Sequence, residues 1–417
     1  MARILLASWG SYGDVYPYVG LAFALKDRGH QPVLATAEFY RGLIEPLGFE
    51  FHAMGPMIDP SDDATIARVL DPVRGADALV REILLPSIDT DYAALDHAAQ
   101  QADLIVTHPI TFAAPIVAQA RRLPWASTVL APMSFFSATD PPVLAPAPHL
   151  AALARFGSWY GRIIRRFARA GTRRWMKPLL DLRRRLGLPA GGHPLFEGQF
   201  SPTLTLALFS RLLASSQPDW PPNVVITGSV FYNGPDLLPP ELEAFLDAGP
   251  PPVVFTLGSS AVAAAGRFYE ESLNAARRLG VRAVLLTGGF ERNVPRDAAR
   301  AETFVTDRAP HQLLFPRAAA VVHPAGAGTL AQALRAGRPM LVVPHAHDQP
   351  DNAARVTRLG VARTVRQQGY RGARVARELE QMLGDTRVHA RAEEIGAIVR
   401  SEGGAVVAAA ALDALIQ

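Results

Sequence analysis

The sequence contains no cysteine among its 417 residues. Disulfide bonds, thiolate metal sites and a cysteine nucleophile are therefore excluded together. It also lacks any run of about 18 uninterrupted apolar residues, the length that a membrane-spanning helix needs. The first apolar run, in MARILLASWG, is too short for a signal-peptide core and ends in a glycine turn. These absences suit a reducing compartment, and we expect a cytoplasmic protein.

Charge is scarce outside one segment. Only 19% of the residues are charged and 49% are hydrophobic, a composition typical of a folded protein. Segment 151–187 nevertheless carries ten arginines and one lysine against one aspartate, interleaved with large apolar side chains. Such a segment is either a helix with a buried stripe and a solvated basic face, or a contact with the inner membrane surface. Nucleic acid is not expected as a partner, because no recognised module accompanies the charge.

Both halves of the chain alternate short apolar runs with amphipathic stretches of helix length. RILLAS, a helix over Tyr18–Arg28 and QPVLAT begin the first half, and PPVVFTLGS with a helix over Arg267–Leu279 begins the second. This alternation predicts an α/β protein with two Rossmann-like, doubly wound parallel-sheet domains that face each other across a cleft. We expect a first domain at 1–214, a proline-rich linker at 215–252, a second domain at 253–400, and a helix at 401–417 that returns to the first domain.

The stretch HPAGAGTL, residues 323–330, predicts an anion site. A strand ends at His323, a glycine turn follows, and a helix is expected over Thr329–Ala336. Free N–H groups and the dipole at a helix N-terminus attract anions, and glycines allow the backbone to approach phosphate oxygens closely. No Lys-Ser or Lys-Thr pair follows the glycines, so this is not a Walker A loop.

A second glycine turn, GSYGDVYP at residues 10–17, follows the first strand. Its Asp14 stands just before a predicted helix, where an aspartate is either a helix cap or a cleft-facing general base. Asp89 and Asp91 form an Asp-x-Asp pair in a stretch that is predicted to be helical. We expect the pair to lie on a solvated helix face.

These motifs resemble those of the nucleotide-sugar glycosyltransferases of the GT-B type, in family 1. The family's donor pattern is His-x-Gly-Gly-x-Gly-Thr, then Gly-x-Pro, then Pro-x-x-x-Asp-Gln-x-x-Asn-Ala, and residues 323–353 match it with Ala325 in place of a glycine. Residues 10–17 match the Gly-x-x-Gly-Asp-x-x-Pro of bacterial and sterol-modifying members. Stretches such as QPDWPPNVVITG look closest to the bacterial rhamnosyltransferases of rhamnolipid synthesis.

The resemblance implies a donor site in the second domain, in which His323 and the backbone of 327–329 would bind the diphosphate and the main chain at Ala309 would read the base edge. Asp348 and Gln349 would bind the sugar hydroxyls, and Arg308 would stack on the base. Ala331 stands where plant members place a ribose-binding glutamate, so the resemblance leaves the ribose contact open. The implied donor-binding residues are Ser259, Ser260, Arg308, Ala309, His323, Gly326, Ala327, Gly328, Thr329, His345, Asp348 and Gln349.

In the first domain the resemblance makes Asp14 the catalytic base. His108, at the end of the strand DLIVTH, would either pair with Asp14 or line the pocket. The loop at 54–60 would help to form an apolar acceptor pocket, whose side chains would be Trp9, Tyr12, Met133, Phe135 and Phe136.

The implied reaction is the inverting transfer of a hexose, rhamnose or glucose, from dTDP-rhamnose or UDP-glucose to a hydroxyl of a hydrophobic small molecule. Neither a metal nor a cofactor is expected beside this co-substrate. Alternatives are a sugar-nucleotide epimerase or hydrolase on the same fold, a nicotinamide oxidoreductase that uses the first glycine turn, and a silent sugar-nucleotide sensor. The sequence leaves the donor base, the sugar, the acceptor and the oligomeric state open.

Overall fold

The computed structural model describes residues 1–58, 62–234, 237–298 and 302–416. Within them lie two sheets whose strands all pair in parallel. The first sheet contains β1 (Arg3–Ala7), β2 (Gln31–Thr36), β3 (Glu50–Ala53), β4 (Leu104–Thr107), β5 (Trp125–Val129), β6 (Thr205–Ala207) and β7 (Val224–Ile226). The second contains β8 (Val253–Thr256), β9 (Ala283–Leu286), β10 (Thr303–Thr306), β11 (Ala320–His323), β12 (Met340–Val342) and β13 (Ala362–Thr364).

The two sheets have the same topology, which confirms the predicted pair of doubly wound domains. The strand orders are β3-β2-β1-β4-β5-β6-β7 and β10-β9-β8-β11-β12-β13. In each sheet the order reverses beside the first strand, and ligands bind at the carboxyl ends of the strands at this switch point. Because helices cover both faces, the central strands are mostly apolar and buried, and Ile4 to Ala7 of β1 are fully buried.

Helices form the outer layers. In the first half these are α1 (Tyr12–Asp27), α2 (Arg41–Ile44), α3 (Asp63–Val69), α4 (Gly75–Asp77), α5 (Ile88–Ala98), α6 (Ala114–Arg121), α7 (Ser158–Thr172) and α8 (Lys177–Arg185). In the second half they are α9 (Pro240–Asp247), α10 (Phe268–Leu279), α11 (His311–Leu314), α12 (Ala327–Ala336), α13 (Gln349–Arg358), α14 (Gly372–Leu383), α15 (Thr386–Ser401) and α16 (Gly404–Asp413).

Strand β7 lies inside the segment 215–252 that we expected to be a linker. Val224 pairs with Thr205 of β6, so the first sheet continues to Ile226. The prolines that suggested a linker stand on both sides of β7 in the sequence. Strand β7 is the edge strand of its sheet, and an edge position tolerates nearby proline because one side of the strand makes no ladder bonds. The chain therefore crosses to the second domain only after β7.

The last two helices pack on different domains. Helix α15 contacts α12 of the second domain, whereas α16 contacts α1 of the first, where Asp413 accepts a hydrogen bond from His30 at 2.6 Å. The combined stretch Thr386–Asp413 is long and apolar enough to cross a membrane by length and composition alone. A left-handed Gly403 (φ 61°) breaks it, however, and Ala408, Ala409 and Leu412 are buried in the first domain's core.

Candidate active site

The two glycine turns meet across the cleft. A Cβ atom added to Gly328, at the start of α12, would stand 2.9 Å from the Cα of Gly13, at the start of α1. The N-termini of these two helices therefore approach each other at the carboxyl ends of β1 and β11. Since both helix dipoles are positive at this end, the junction attracts an anion.

Asp14 occupies the third position of α1 and takes part in its cap. Ser11 is the N-cap residue, and the Asp14 Oδ2 accepts hydrogen bonds from the Ser11 N–H at 2.8 Å and from the Ser11 hydroxyl at 3.0 Å. The helix also starts at Tyr12 rather than at the expected Tyr18. The Asp14 side chain keeps 33% of its surface exposed, so the capping carboxylate is still accessible from the cleft.

His108 faces the other oxygen of Asp14. Its Nε2 lies 3.5 Å from the Asp14 Oδ1, while its Nδ1 accepts the N–H of Ile110 at 3.4 Å. Because Nδ1 accepts a hydrogen bond, Nε2 is the nitrogen that carries a proton directed at the carboxylate. Burial acts to raise the pKa of Asp14, but the hydrogen bond and charge of His108, together with the bonds from Ser11, outweigh it and hold that pKa below its ordinary value. Asp14 is thus an ionised base, oriented by a buried histidine.

His323 is the last residue of β11, and only one of its two ring nitrogens makes a hydrogen bond with the described residues. Its Nδ1 accepts the N–H of Ala325 at 3.1 Å, so the neutral ring carries its proton on Nε2. Among the described residues this buried Nε2 has no hydrogen-bond partner. Burial, with a smaller contribution from the nearby His311, lowers the pKa of His323 to about 3. A neutral, desolvated N–H donor at the N-terminus of α12 fits a phosphate oxygen.

The turn after His323 is strained. Ala325 has a φ of 68°, a left-handed conformation that favours glycine, and it is fully buried. This is the position where the resembled pattern has glycine. The Gly326 N-cap and the residues Ala327, Gly328 and Thr329 then open α12, and Thr329 lies beside Gly258 of the turn after β8. That turn also carries Ser259 and Ser260, both exposed.

Asp348 and Gln349 lie at the start of α13. Asp348 accepts a hydrogen bond at 2.7 Å from Asn352, whose amide also donates to the carbonyl of Ala325 at 3.0 Å. Burial, followed by the charge of Asp14, raises the pKa of Asp348 to about 7. The Gln349 Oε1 accepts the N–H of His345 at 2.8 Å, and its Nε2 points toward Gly326. Asp348 thus lies near Asp14 and Gln349 near Gly326, at the turn after His323.

The two histidines before Asp348 differ in placement. His345 is 6% exposed and its Nδ1 bonds to the carbonyl of Val343 at 2.7 Å, so it packs behind the site. His347 has a φ of 55°, and it bonds to the backbone of Val69 in the other domain. Burial lowers the pKa of His347. Strained non-glycine residues of this kind concentrate at functional sites.

Arg308 bridges the domains. Its guanidinium lies over the ring of Tyr12, 5.3 Å from the centroid, and donates to the Tyr12 hydroxyl at 3.1 Å. Tyr12 also contacts Tyr16 and Tyr40, with ring centroids 5.1 and 5.3 Å away. Tyr12 therefore belongs to an aromatic cluster of the first domain that contacts Arg308 of the second, and its acceptor contact stays a prediction.

Two of the other expected acceptor contacts are core residues. Trp9 is 5% exposed, and its indole N–H donates to the carbonyl of Pro56 at 3.1 Å. Phe135 is 2% exposed and stacks on Trp220 at 4.1 Å. Both rings are covered by neighbouring loops, so the prediction that they contact an acceptor directly is corrected. Positions 59 and 60 of the expected acceptor loop lie outside the described residues.

Met133 and Phe136 follow β5 and are half-buried. Phe136 has a φ of 45°, which turns the backbone sharply at the end of a short 3₁₀ helix. Its ring contacts Phe196 at 4.9 Å. These two side chains remain the candidates for acceptor contact.

The Asp-x-Asp pair does not form the expected solvated face. Asp89 is exposed and pairs with Arg185, but Asp91 is 8% exposed. It accepts the N–H of Gly55 at 3.0 Å and the Ser87 hydroxyl at 2.9 Å. Asp91 is thus a structural residue that holds the loop over Trp9.

A buried ion network across the cleft has no local sequence signal. Arg355 of α13 is 3% exposed and donates to Asp351 at 2.7 Å, to Asp140 of the first domain at 2.6 Å, and to the carbonyl of Leu213 at 2.9 Å. Asp351 also accepts the N–H of Val143 at 3.0 Å. The helix that carries Asp348 and Gln349 is thereby fixed to the loop after β5.

Comparison with known proteins shows the family to which this chain belongs. The family model described as the C-terminal domain of erythromycin biosynthesis protein CIII-like proteins matches residues 292–409. The O-mycaminosyltylonolide 6-deoxyallosyltransferase of Streptomyces fradiae is 33% identical over 96% of this chain and 94% of its own. The chain belongs to the GT-B nucleotide-sugar glycosyltransferases.

Other comparisons agree on family and fold. The vancomycin aglycone glucosyltransferase of Amycolatopsis orientalis is 31% identical to this glycosyltransferase over 99% of this chain and 98% of its own. Among solved structures, the calicheamicin glycosyltransferase CalG4 superposes with a TM-score of 0.72 at 20% identity, covering 100% of this chain and 98% of its own. VinC in complex with dTDP gives 0.70 at 21% identity over 99% of both chains. The finer likeness to rhamnolipid rhamnosyltransferases stays a prediction.

Proposed function

We propose that this glycosyltransferase transfers a hexose, with inversion, from a dTDP- or UDP-sugar to a hydroxyl of an apolar natural product. The observation that carries the proposal is the pairing of an ionised Asp14, held by His108, with the buried His323 N–H across the Gly13–Gly328 contact. One side supplies a base and the other an anion site. Relatives named for a macrolide and for a glycopeptide acceptor support an apolar, multi-ring acceptor.

In the proposed reaction, Asp14 accepts the proton of the acceptor hydroxyl as its oxygen attacks the anomeric carbon. The bond from that carbon to the diphosphate oxygen breaks on the opposite face of the sugar, which inverts the anomeric centre. His323 and the first N–H groups of α12 stabilise the charge that develops on the departing nucleoside diphosphate. These protein groups carry out every proposed step, and no step is assigned to a metal ion.

Asp348 and Gln349 are proposed to hold the sugar. An ionised carboxylate accepts hydroxyl donors, and the Gln349 Nε2 donates. Arg308 is proposed to contact the base from its place over Tyr12, and Ala309 to present its main chain to the base edge. Ser259 and Ser260 are proposed to reach the phosphates from the neighbouring turn.

Thermal-shift measurements across dTDP, UDP, dTDP-rhamnose and UDP-glucose would test the donor. A ligand that binds the folded protein raises its melting temperature, and the stabilisation grows with the logarithm of ligand concentration divided by Kd. The best donor is then incubated with macrolide and glycopeptide aglycones, and product masses are recorded. We expect a mass increase of one hexose unit on an aglycone. Donor consumption without any acceptor would instead favour a hydrolase or epimerase, and binding without turnover would favour a sensor.

A further inference from the structure

Helix α7 presents two different faces to solvent. At 100° per residue, Arg162, Arg165, Arg166 and Arg169 lie within an arc of about 100°. Trp159, Ile163 and Phe167 follow at four-residue spacing and form a ridge immediately beside that arc. The arginine face and the apolar ridge together occupy the exposed half of the helix.

The arginine face lines an open cavity of about 440 Å³, whose lining also includes Ala138, Thr139 and Asp219. Two carboxylates, Asp219 and Glu197, lie close to two of these four arginines, Arg165 and Arg169. Glu197 pairs with Arg165 at 3.1 Å and with Arg169, and Asp219 lies 3.9 Å from Arg165. Two positive charges thus exceed the nearby negative charge, and the surface attracts anions.

The ridge exposes large apolar side chains. Phe167 is 72% exposed, Trp159 46% and Ile163 42%. At about 150–250 Å² for a large side chain, the ridge offers roughly 400 Å² at most. A specific protein interface needs about 800 Å² from each partner, so the ridge alone is too small for one. A row of arginines beside a narrow apolar ridge is instead the pattern of helices that lie in the headgroup region of a bilayer.

We propose that α7 binds the surface of an anionic lipid bilayer. The arginine face contacts lipid phosphates, and Trp159, Ile163 and Phe167 enter the boundary between headgroups and acyl chains. Charge complementarity selects this occupant, since the surrounding segment 151–187 carries a net charge of +10.

Helix α7, with its arginine face and apolar ridge, packs next to the loop after β5. A Cβ atom on Gly161 would stand 2.3 Å from the carbonyl oxygen of Ala138, so helix and loop are in backbone contact. Membrane binding therefore brings the loop that carries Met133 and Phe136 close to the lipid surface, where an apolar acceptor would partition.

Vesicle co-sedimentation tests the proposal with the full chain. Vesicles of phosphatidylcholine alone are compared with vesicles that also contain phosphatidylglycerol, at low and high salt. We expect binding to the anionic vesicles only, weakened by salt. Replacing Arg162 and Arg166 by glutamine removes two surface charges, each contributing about fivefold to binding, so affinity falls about 25-fold. Phe167→Ser also weakens binding, because the ridge loses its most exposed side chain.

Two matched variants control for charge and hydrophobicity elsewhere on the surface. Val406→Ser removes an exposed apolar side chain of α16, and Arg278→Gln removes an exposed arginine of α10. Both are expected to bind vesicles like the parent chain. Unchanged thermal shifts with UDP or dTDP show that the α7 variants are folded. The proposal is wrong if anionic vesicles do not bind, if Phe167→Ser binds like the parent, or if the same face binds RNA and not lipid.

Discussion

Replacing Arg355 by methionine should destabilise the protein strongly. Arg355 is 3% exposed and holds Asp351, whose side chain is 2% exposed, and Asp140, which is 25% exposed. Removing one partner of a buried pair leaves an uncompensated charge and typically costs about 3–5 kcal/mol. Most of that cost should come from Asp351, because Asp140 still reaches solvent. Asp140→Asn, which keeps the buried pair intact, should cost only about 1–2 kcal/mol.

Urea unfolding followed by tryptophan fluorescence and circular dichroism measures these differences. Two probes are needed because a two-domain chain can unfold in steps. The double variant Arg355→Met/Asp351→Asn should recover part of the stability, since it removes the stranded carboxylate. A loss below about 1 kcal/mol in Arg355→Met would refute the reasoning. So would a double variant that is no more stable than the single one.

Three further predictions concern the cleft. Gly328→Ala should lower kcat/KM about 100-fold, because its Cβ would stand 2.9 Å from the Gly13 Cα and push the two domains apart. Gly13→Ala should be tolerated, since the nearest atom to its Cβ is 3.5 Å away. Steady-state kinetics that are the same for the two variants would contradict this. His323→Gln should lower kcat about 10²–10³-fold in the same assay, and a parent-like kcat would exclude His323 from leaving-group stabilisation. Because the pKa of Asp348 is raised to about 7, and sugar hydroxyls favour its ionised form, donor binding near pH 6.5 should release protons. Calorimetry in buffers of different ionisation enthalpy measures this release, and Asp348→Asn should abolish it.

Much of the fold could be predicted because its signals are local. Alternating apolar strands and amphipathic helices specify parallel sheets, and the resembled motifs stand at the ends of β1, β11 and β12. The prediction failed where packing over long distances decides the outcome. Trp9 and Phe135 look like pocket aromatics in the sequence, yet loops from elsewhere in the chain cover them. Strand β7 has three residues and proline-rich flanks, which no local pattern separates from a linker.

Individual residues of the candidate site could be predicted only where they belong to one of the resembled motifs. The structure brings Asp14, His323 and Asp348 to the same cleft, and their roles stay predictions. Asn352 could have been added, since it stands one helical turn after Asp348 on the same face. The Asp140–Arg355 contact joins residues 215 positions apart and has no counterpart in any periodicity. The left-handed backbone of His347 also could not be predicted from the sequence, because most histidines have negative φ.

The most direct test of the central claim is the rate of sugar transfer by Asp14→Asn, measured beside its nucleotide-sugar affinity. Asparagine keeps the size and much of the capping ability of the side chain but cannot take a proton. Ser11→Ala serves as the control that weakens the cap and leaves the carboxylate in place. We expect Asp14→Asn to bind donor like the parent chain and to lose transfer by about 10²–10⁴-fold, while Ser11→Ala remains active. Transfer at the parental rate by Asp14→Asn would contradict the account.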